Sequence, residues 1–205
     1  MKVIIFGATG KTGEHVVQQA LNAGLEITAF VRNPSKLKTT HPLLHVYEGD
    51  ALDSTAVSQA IEGHDAVISC LGSNTGLKKS TVLGEMGTII VQAMKEKHVT
   101  RIVYLASAGI DKEIPGVSGR LVMKLLGKVL ADHRTAVDAI QANELEWTIA
   151  RPMSLNDGPL IGSYREDFKS VPKHGRAISR ADVAHFLLRS LEDQKYINQS
   201  VAICY

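Results

Sequence analysis

The sequence predicts an α/β fold: a doubly wound, mostly parallel sheet of about seven strands flanked by helices, with a small region added at the C-terminal end. Three observations predict it. Short apolar runs rich in β-branched residues alternate with stretches whose apolar residues recur at helical spacing. A glycine-rich turn joins the first run to the first helical stretch. Finally, the predicted strands end on small, polar or basic residues, as the strands of such sheets do where they meet a ligand. The 205 residues suit one domain, residues 1–205, and a chain of this length buries roughly 70% of its unfolded surface.

The elements follow in order. Val3 to Phe6 reads Val-Ile-Ile-Phe, apolar at every position, as a parallel strand covered on both faces must be. Thr12 to Ala23 carries Val16, Val17, Ala20 and Leu21 on one helical face. Further strands are expected at Glu26 to Val31, Leu44 to Tyr47, Ala66 to Cys70, Arg101 to Ala106, Trp147 to Ala150 and Val201 to Ile203. Between them, Asp53 to Ile61 opens on a capping aspartate, and Thr81 to Lys97 aligns Val82, Met86, Ile89, Ile90, Ala93 and Met94. Arg120 to Asn143 forms a long helix, and Ala181 to Leu191 a last one with Val183, Phe186, Leu187 and Leu188 inward. Right-handed crossovers wind these units into one sheet.

The turn Gly7-Ala8-Thr9-Gly10-Lys11-Thr12-Gly13 lies between the first strand and the first helix. Gly7 permits a tight turn, Gly10 lets the backbone approach a pyrophosphate, and Gly13 lets the helix pack on the sheet. The unpaired amides that begin the helix then face phosphate charge. Gly10-Lys11-Thr12 has the ending of a P-loop, but that motif needs a glycine where Ile5 stands. The motif therefore predicts a Rossmann-type dinucleotide site.

Arg32 occupies the place, about 20 residues beyond the turn, where an acidic residue would hold a ribose 2′-hydroxyl. A guanidinium suits a 2′-phosphate instead, which selects NADP(H). Asn33, Ser35 and Lys36 are close enough in sequence to help, and Asp50 is placed to accept from an adenine amino group. Ser107 ends the fifth strand, where short-chain dehydrogenases keep a substrate-binding serine; it is the candidate catalytic residue. Those enzymes add Tyr-x-x-x-Lys. Here Tyr104, Tyr164 and Tyr196 are followed four positions later by Ala108, Phe168 and Ser200. Without that acid, an acceptor whose reduced form is a delocalised anion is favoured over a simple carbonyl.

Composition narrows the classes. The formal charge is +2, with both signs interspersed, so neither nucleic acid nor an anionic membrane is expected as a partner. The eight histidines and two cysteines form no His-Glu-x-x-His or Cys-x-x-Cys motif, so no metal is expected. Two cysteines, Cys70 and Cys204, without metal spacing, and no leader-like or spanning apolar run, place the expected location in the cytoplasm. Asp132-His133, on the long helix, and Lys78-Lys79, after the fourth strand, are polar pairs that the sequence leaves open between cleft and surface.

Phe6 to Gly13, Val31-Arg32-Asn33, Gly49-Asp50, Asp65-Ala66-Val67-Ile68 with Leu71-Gly72, Asn156 to Tyr164, and Ile178 to Phe186 together resemble an atypical short-chain dehydrogenase. The type is that of biliverdin-IXβ or flavin reductases, within the NmrA-like group. The resemblance implies a monomeric or weakly associating reductase that uses NADPH on a small flavin-like acceptor. It assigns the phosphates to Gly7, Thr9, Gly10, Thr12 and Gly13, the 2′-phosphate to Arg32 and adenine to Asp50 and Ala51. The nicotinamide side falls to Leu71, Gly72, Ser107, Pro152, Met153 and Ser154, with Lys11 and Asn33 alongside the cofactor. Met153 stands where that type of reductase has a histidine, and Asn74 where it has an arginine. An alternative reading is a non-catalytic NAD(P)-sensing regulator of the NmrA-like kind.

Overall fold

The computed structural model describes residues 1–72 and 80–205. Asn74, Lys78 and Lys79 lie outside the described residues. The chain runs β1 (Lys2–Phe6), α1 (Lys11–Asn22), β2 (Glu26–Val31), β3 (Leu44–Glu48), α2 (Ser54–Ile61), β4 (Ala66–Ser69), α3 (Val82–Glu96) and β5 (Arg101–Leu105). It continues with α4 (Gly116–Gln141), β6 (Glu146–Pro152), β7 (Ser154–Asn156), β8 (Arg165–Asp167), β9 (Ala177–Ser179), α5 (Arg180–Glu192) and β10 (Gln199–Cys204).

The main sheet has the order β3-β2-β1-β4-β5-β6-β10-β8, and β7 pairs with β9 in a small second sheet. All main-sheet pairings are parallel except β10 with β8. The chain leaves β1 for β2 and β3 on one side, then returns to β4 on the other. That reversal opens a crevice between the carboxyl ends of β1 and β4, the place where open α/β sheets bind ligands. The seven expected strands are all present. The short strands β7, β8 and β9 carry too little apolar pattern to be read from sequence, since β7 is exposed throughout and β8 is only partly covered.

Two apolar layers cover the sheet. On one face α2, α3 and α4 pack Ile61, Leu83, Ile90, Met94, Val137 and Ile140 over Ile4, Phe6, Val67, Ile102 and Tyr104. On the other, α1 and α5 pack Val16, Val17, Leu21, Phe186 and Leu187 over Val3, Ile5, Ile68, Val103 and Val201. Burial of apolar side chains at about 1.5–3 kcal/mol each is the main force behind both layers. Helices α3 and α4 approach closely because Gly84 and Gly87 leave room: a Cβ on either would come within 2.7 Å of Thr135 or Ala136.

Helix starts follow their caps. Asp53 accepts from the amides of Thr55 and Ala56, and Ser179 from that of Asp182. Helix α3 is capped from a distance: buried Asp132 of α4 accepts from Leu83 N at 3.2 Å and Gly84 N at 2.9 Å. Beside it, the Tyr104 hydroxyl meets His133 Nδ1 at 3.0 Å. Both members of the Asp132-His133 pair are buried and join α3, α4 and β5, so the choice the sequence left open resolves to internal bonding.

Two buried arginines act as internal rivets. Arg101 donates to the carbonyls of Ile102, Glu146, Ser190 and Leu191 and to the Thr148 hydroxyl, tying the end of α5 to β5 and β6. Arg151, on β6, grips Glu113, whose carboxylate in turn accepts from the amides of Gly109 and Asp111. The loop after β5 is therefore wound around a buried ion pair.

Candidate functional site

Because β3, β2, β1, β4, β5 and β6 are parallel neighbours, their carboxyl ends form one row. In spatial order it presents Asp50 and Ala51, Arg32, the Gly7 to Gly13 turn, Leu71 and Gly72, Ser107, then Pro152, Met153 and Ser154. Five strand spacings of about 4.8 Å make this row roughly 24 Å long. Residues up to 147 positions apart in sequence thus share one edge.

The glycine turn occupies the crevice. Gly7 has φ +77°, and a Cβ there would lie 2.6 Å from the Cys70 carbonyl oxygen. A Cβ on Gly13 would collide with the Gly7 carbonyl. Only glycine at these two positions lets the turn sit against β4 and lets α1 begin directly beneath it. Gly10 caps α1 with extended backbone and no side-chain hydrogen bond. The first amides of α1 therefore keep their hydrogen-bonding capacity for an anion, as a dinucleotide diphosphate requires. The turn fits that group.

Arg32 is exposed at the end of β2 and takes no part in the ion pairs among the described residues. Asn33 serves a local role, its Oδ1 accepting from Ser35 N at 3.0 Å and Ser35 Oγ at 2.7 Å to cap a short 3-10 turn at residues Pro34–Lys36. This turn shapes the backbone around Arg32. Asp50 is exposed and its Oδ1 accepts from Leu52 N at 3.0 Å. Gly49 passes against the Phe30 ring, 2.7 Å from where a Cβ would stand.

Lys11, the first residue of α1, reaches Asp157 at 3.2 Å, and Arg180 binds the other oxygen of that carboxylate. The Lys11 hydrogen bond holds the Asp157 carboxyl below the usual range, and Arg180 adds to the effect. Asp157 and Arg180 lie inside the stretches 156–164 and 178–186, but 146 residues separate Lys11 from Asp157, so no local signal ties them. Asp182 anchors the same region. Its carboxylate accepts from Gly162 N at 2.6 Å, Ile161 N at 3.1 Å, Ser179 Oγ at 3.0 Å and the Tyr205 hydroxyl. The loop from 157 to 163 is thereby fixed beside the glycine turn, with Leu160 and Ile161 exposed, as is Leu155 of β7.

Ser107 is half-buried, its hydroxyl donating to the Ala108 carbonyl at 3.1 Å. All five tyrosine hydroxyls have protein partners: Tyr47 with Gln59, Tyr104 with His133, Tyr164 with His185, Tyr196 with Glu166, and Tyr205 with Asp182. Burial pushes Tyr164 up to about 12 and Tyr104 upward as well. None is a poised proton donor. Burial likewise raises the Cys70 thiol to about 12, which suits packing rather than nucleophilic chemistry.

A model of the NAD(P)H-binding family matches residues 7–194. The uncharacterized protein YwnB of Bacillus subtilis is 28% identical, over 99% of this chain and 98% of its own length. A short-chain dehydrogenase/reductase of Veillonella parvula, solved in complex with NADP, superposes with a TM-score of 0.84 at 20% identity, covering all of this chain and 94% of that one. ChuY, described as an anaerobilin reductase of Escherichia coli O157:H7, superposes with a TM-score of 0.83 at 20% identity, over all of this chain and 97% of its own.

Proposed function

The chain belongs to the NAD(P)H-binding family, and from that premise we propose that it is an NADPH-dependent reductase whose acceptor is a flavin or a similar conjugated molecule such as a quinone or tetrapyrrole. The observation that carries the reading is the pairing of an α1 start without a side-chain cap with an exposed Arg32 that no carboxylate among the described residues neutralises. The α1 amides would hold the diphosphate, and Arg32 would take the 2′-phosphate through charge-assisted hydrogen bonds. The nicotinamide, when bound, supplies a hydride. Leu71, Gly72, Pro152 and Met153 form its bed, with Met153 offering a polarizable surface to a flat ring.

The tyrosine contacts among the described residues support this acceptor class. With every tyrosine hydroxyl held by a protein partner, no side chain of the described site stands ready as the strong acid that an isolated carbonyl needs. A conjugated acceptor spreads the charge that hydride addition creates and takes its proton from water. Ser107 positions the acceptor by a hydrogen bond. Exposed Leu155, Leu160 and Ile161 offer apolar surface to a broad planar molecule. The name of ChuY as an anaerobilin reductase supports a tetrapyrrole among the acceptors.

Steady-state oxidation of NADPH with FMN, FAD, riboflavin, a short-chain quinone and biliverdin tests the reading. Turnover with at least one acceptor, faster with NADPH than with NADH, is expected. Rates at background with all five would remove it.

A further inference from the structure

Helix α4 carries a second surface that the dinucleotide site does not use. Its first turns present Val117, Leu121 and Leu125 at successive i, i+4 positions with 82%, 69% and 64% of their surface exposed, and Val122 beside them. The neighbouring row of the same helix holds Arg120, Lys124 and Lys128, again four residues apart. From Gly116 to Ala131 the helix contains no carboxylate, and these three cations take no part in the ion pairs among the described residues.

The inward face is already satisfied. Met123 and Leu126 pack against the core, Leu130 belongs to it, and Gly119 lies on Ile114. The nearby carboxylates are engaged elsewhere: Asp111 with Arg134, Glu113 with Arg151, Asp132 with the start of α3, and Glu85 with Thr81. Helix α3 begins level with Asp132 and Thr135, so α4 starts some sixteen residues, about 24 Å, before that level. Its exposed half stands at the carboxyl end of the sheet.

We infer that this half of α4 docks on an anionic phospholipid surface, the apolar row entering the headgroup boundary while Arg120, Lys124 and Lys128 meet lipid phosphates. An apolar row flanked by cations on one helix is the arrangement that such interfacial binding requires. Its charge complements a negative leaflet and not a neutral one. Charges that look interspersed along the chain are gathered by the helical period onto one face. The inference stands apart from the hydride-transfer reading, and its test does not use activity.

Sedimentation of the full chain with vesicles of phosphatidylcholine and phosphatidylglycerol in a two-to-one ratio, against pure phosphatidylcholine, is the measurement. Binding to the mixed vesicles at low salt is expected, falling in high salt. Arg120→Gln with Lys124→Gln and Lys128→Gln together should weaken it on the order of 100-fold, at about fivefold per cation. Leu121→Ser with Leu125→Ser should abolish it, and circular dichroism would show both variants folded. No binding to the anionic vesicles overturns the inference, as does binding indifferent to either variant. A concentration-dependent dimer, lost in the Leu121→Ser and Leu125→Ser variant and without vesicle binding, would give this face to a second copy and likewise overturn it.

Discussion

In the proposed reading Arg32 decides the choice of nucleotide, as the charged side chain beyond β2 that would meet the ribose 2′-phosphate. Arg32→Asp is expected to weaken NADPH about 10- to 100-fold while changing NADH less than about threefold. Fluorescence titration with both nucleotides measures this, and equal losses would separate Arg32 from the 2′-phosphate. Ser107→Ala should lower turnover about 3- to 30-fold, short of the 10²–10⁴ expected for a true proton donor. Its NADPH affinity should stay within twofold of the parent, as an acceptor-side role requires. Asp157 pulls the other way. Its carboxylate sits on Lys11 at the start of α1, so in the proposed reading Asp157→Asn should tighten NADPH a few-fold by removing a like charge from an exposed site. The place of Arg32 just beyond β2 was legible from its spacing alone. Asp157 was not, since its partner lies at the other end of the chain.

At the scale of elements, the joint between α3, α4 and β5 turns a polar pair into a pH-dependent contact. Burial pushes His133 down to about 4, although the Asp132 carboxylate works in the opposite direction. The folded value lies below the unfolded one of about 6.5, so the folded state favours the neutral ring. The contribution is therefore complete above about pH 6.5 and is lost as the pH falls toward 4, on the order of 3 kcal/mol in all. Urea unfolding at pH 7 and pH 5 should show this loss, and His133→Gln should flatten it. Asp132→Ala removes the acceptor for two buried amides of α3 and should cost about 1–3 kcal/mol at neutral pH. The helices themselves were readable, because their apolar spacing encodes which face is covered. Helix α4 begins at Gly116, four residues before its expected start at Arg120. Gly116 and Gly119 hid that first turn, as glycine gives no helical signal by propensity.

For the molecule as a whole, Tyr205 and Asp182 anchor the loop from 157 to 163, whose Asp157 meets Lys11 at the start of α1. Burial alone would raise the Asp182 carboxyl. The Tyr205 hydroxyl, the amides of Gly162 and Ile161, and the Ser179 hydroxyl outweigh it and hold the carboxyl below its ordinary value. Its contribution is present above the unfolded value of about 3.9 and disappears as the pH falls through the folded one. Acid unfolding should then proceed through His133 first and Asp182 below it. Asp182→Asn should loosen the loop from 157 to 163 before the core opens, which amide hydrogen exchange of Ile161 and Gly162 would register.

What the chain determined by itself were its local periods and its one long-range convention: apolar runs became parallel strands, amphipathic stretches became covering helices, and the glycine turn fell where the sheet reverses. These are consequences of burial and backbone geometry, which act over a few residues and so are written in neighbouring positions. Only the tertiary structure decided that Asp157 meets Lys11, that Arg151 grips Glu113, and that Asp132 and His133 face inward. Such pairings depend on which distant segments packing brings within hydrogen-bond reach, and no spacing along the chain records that distance.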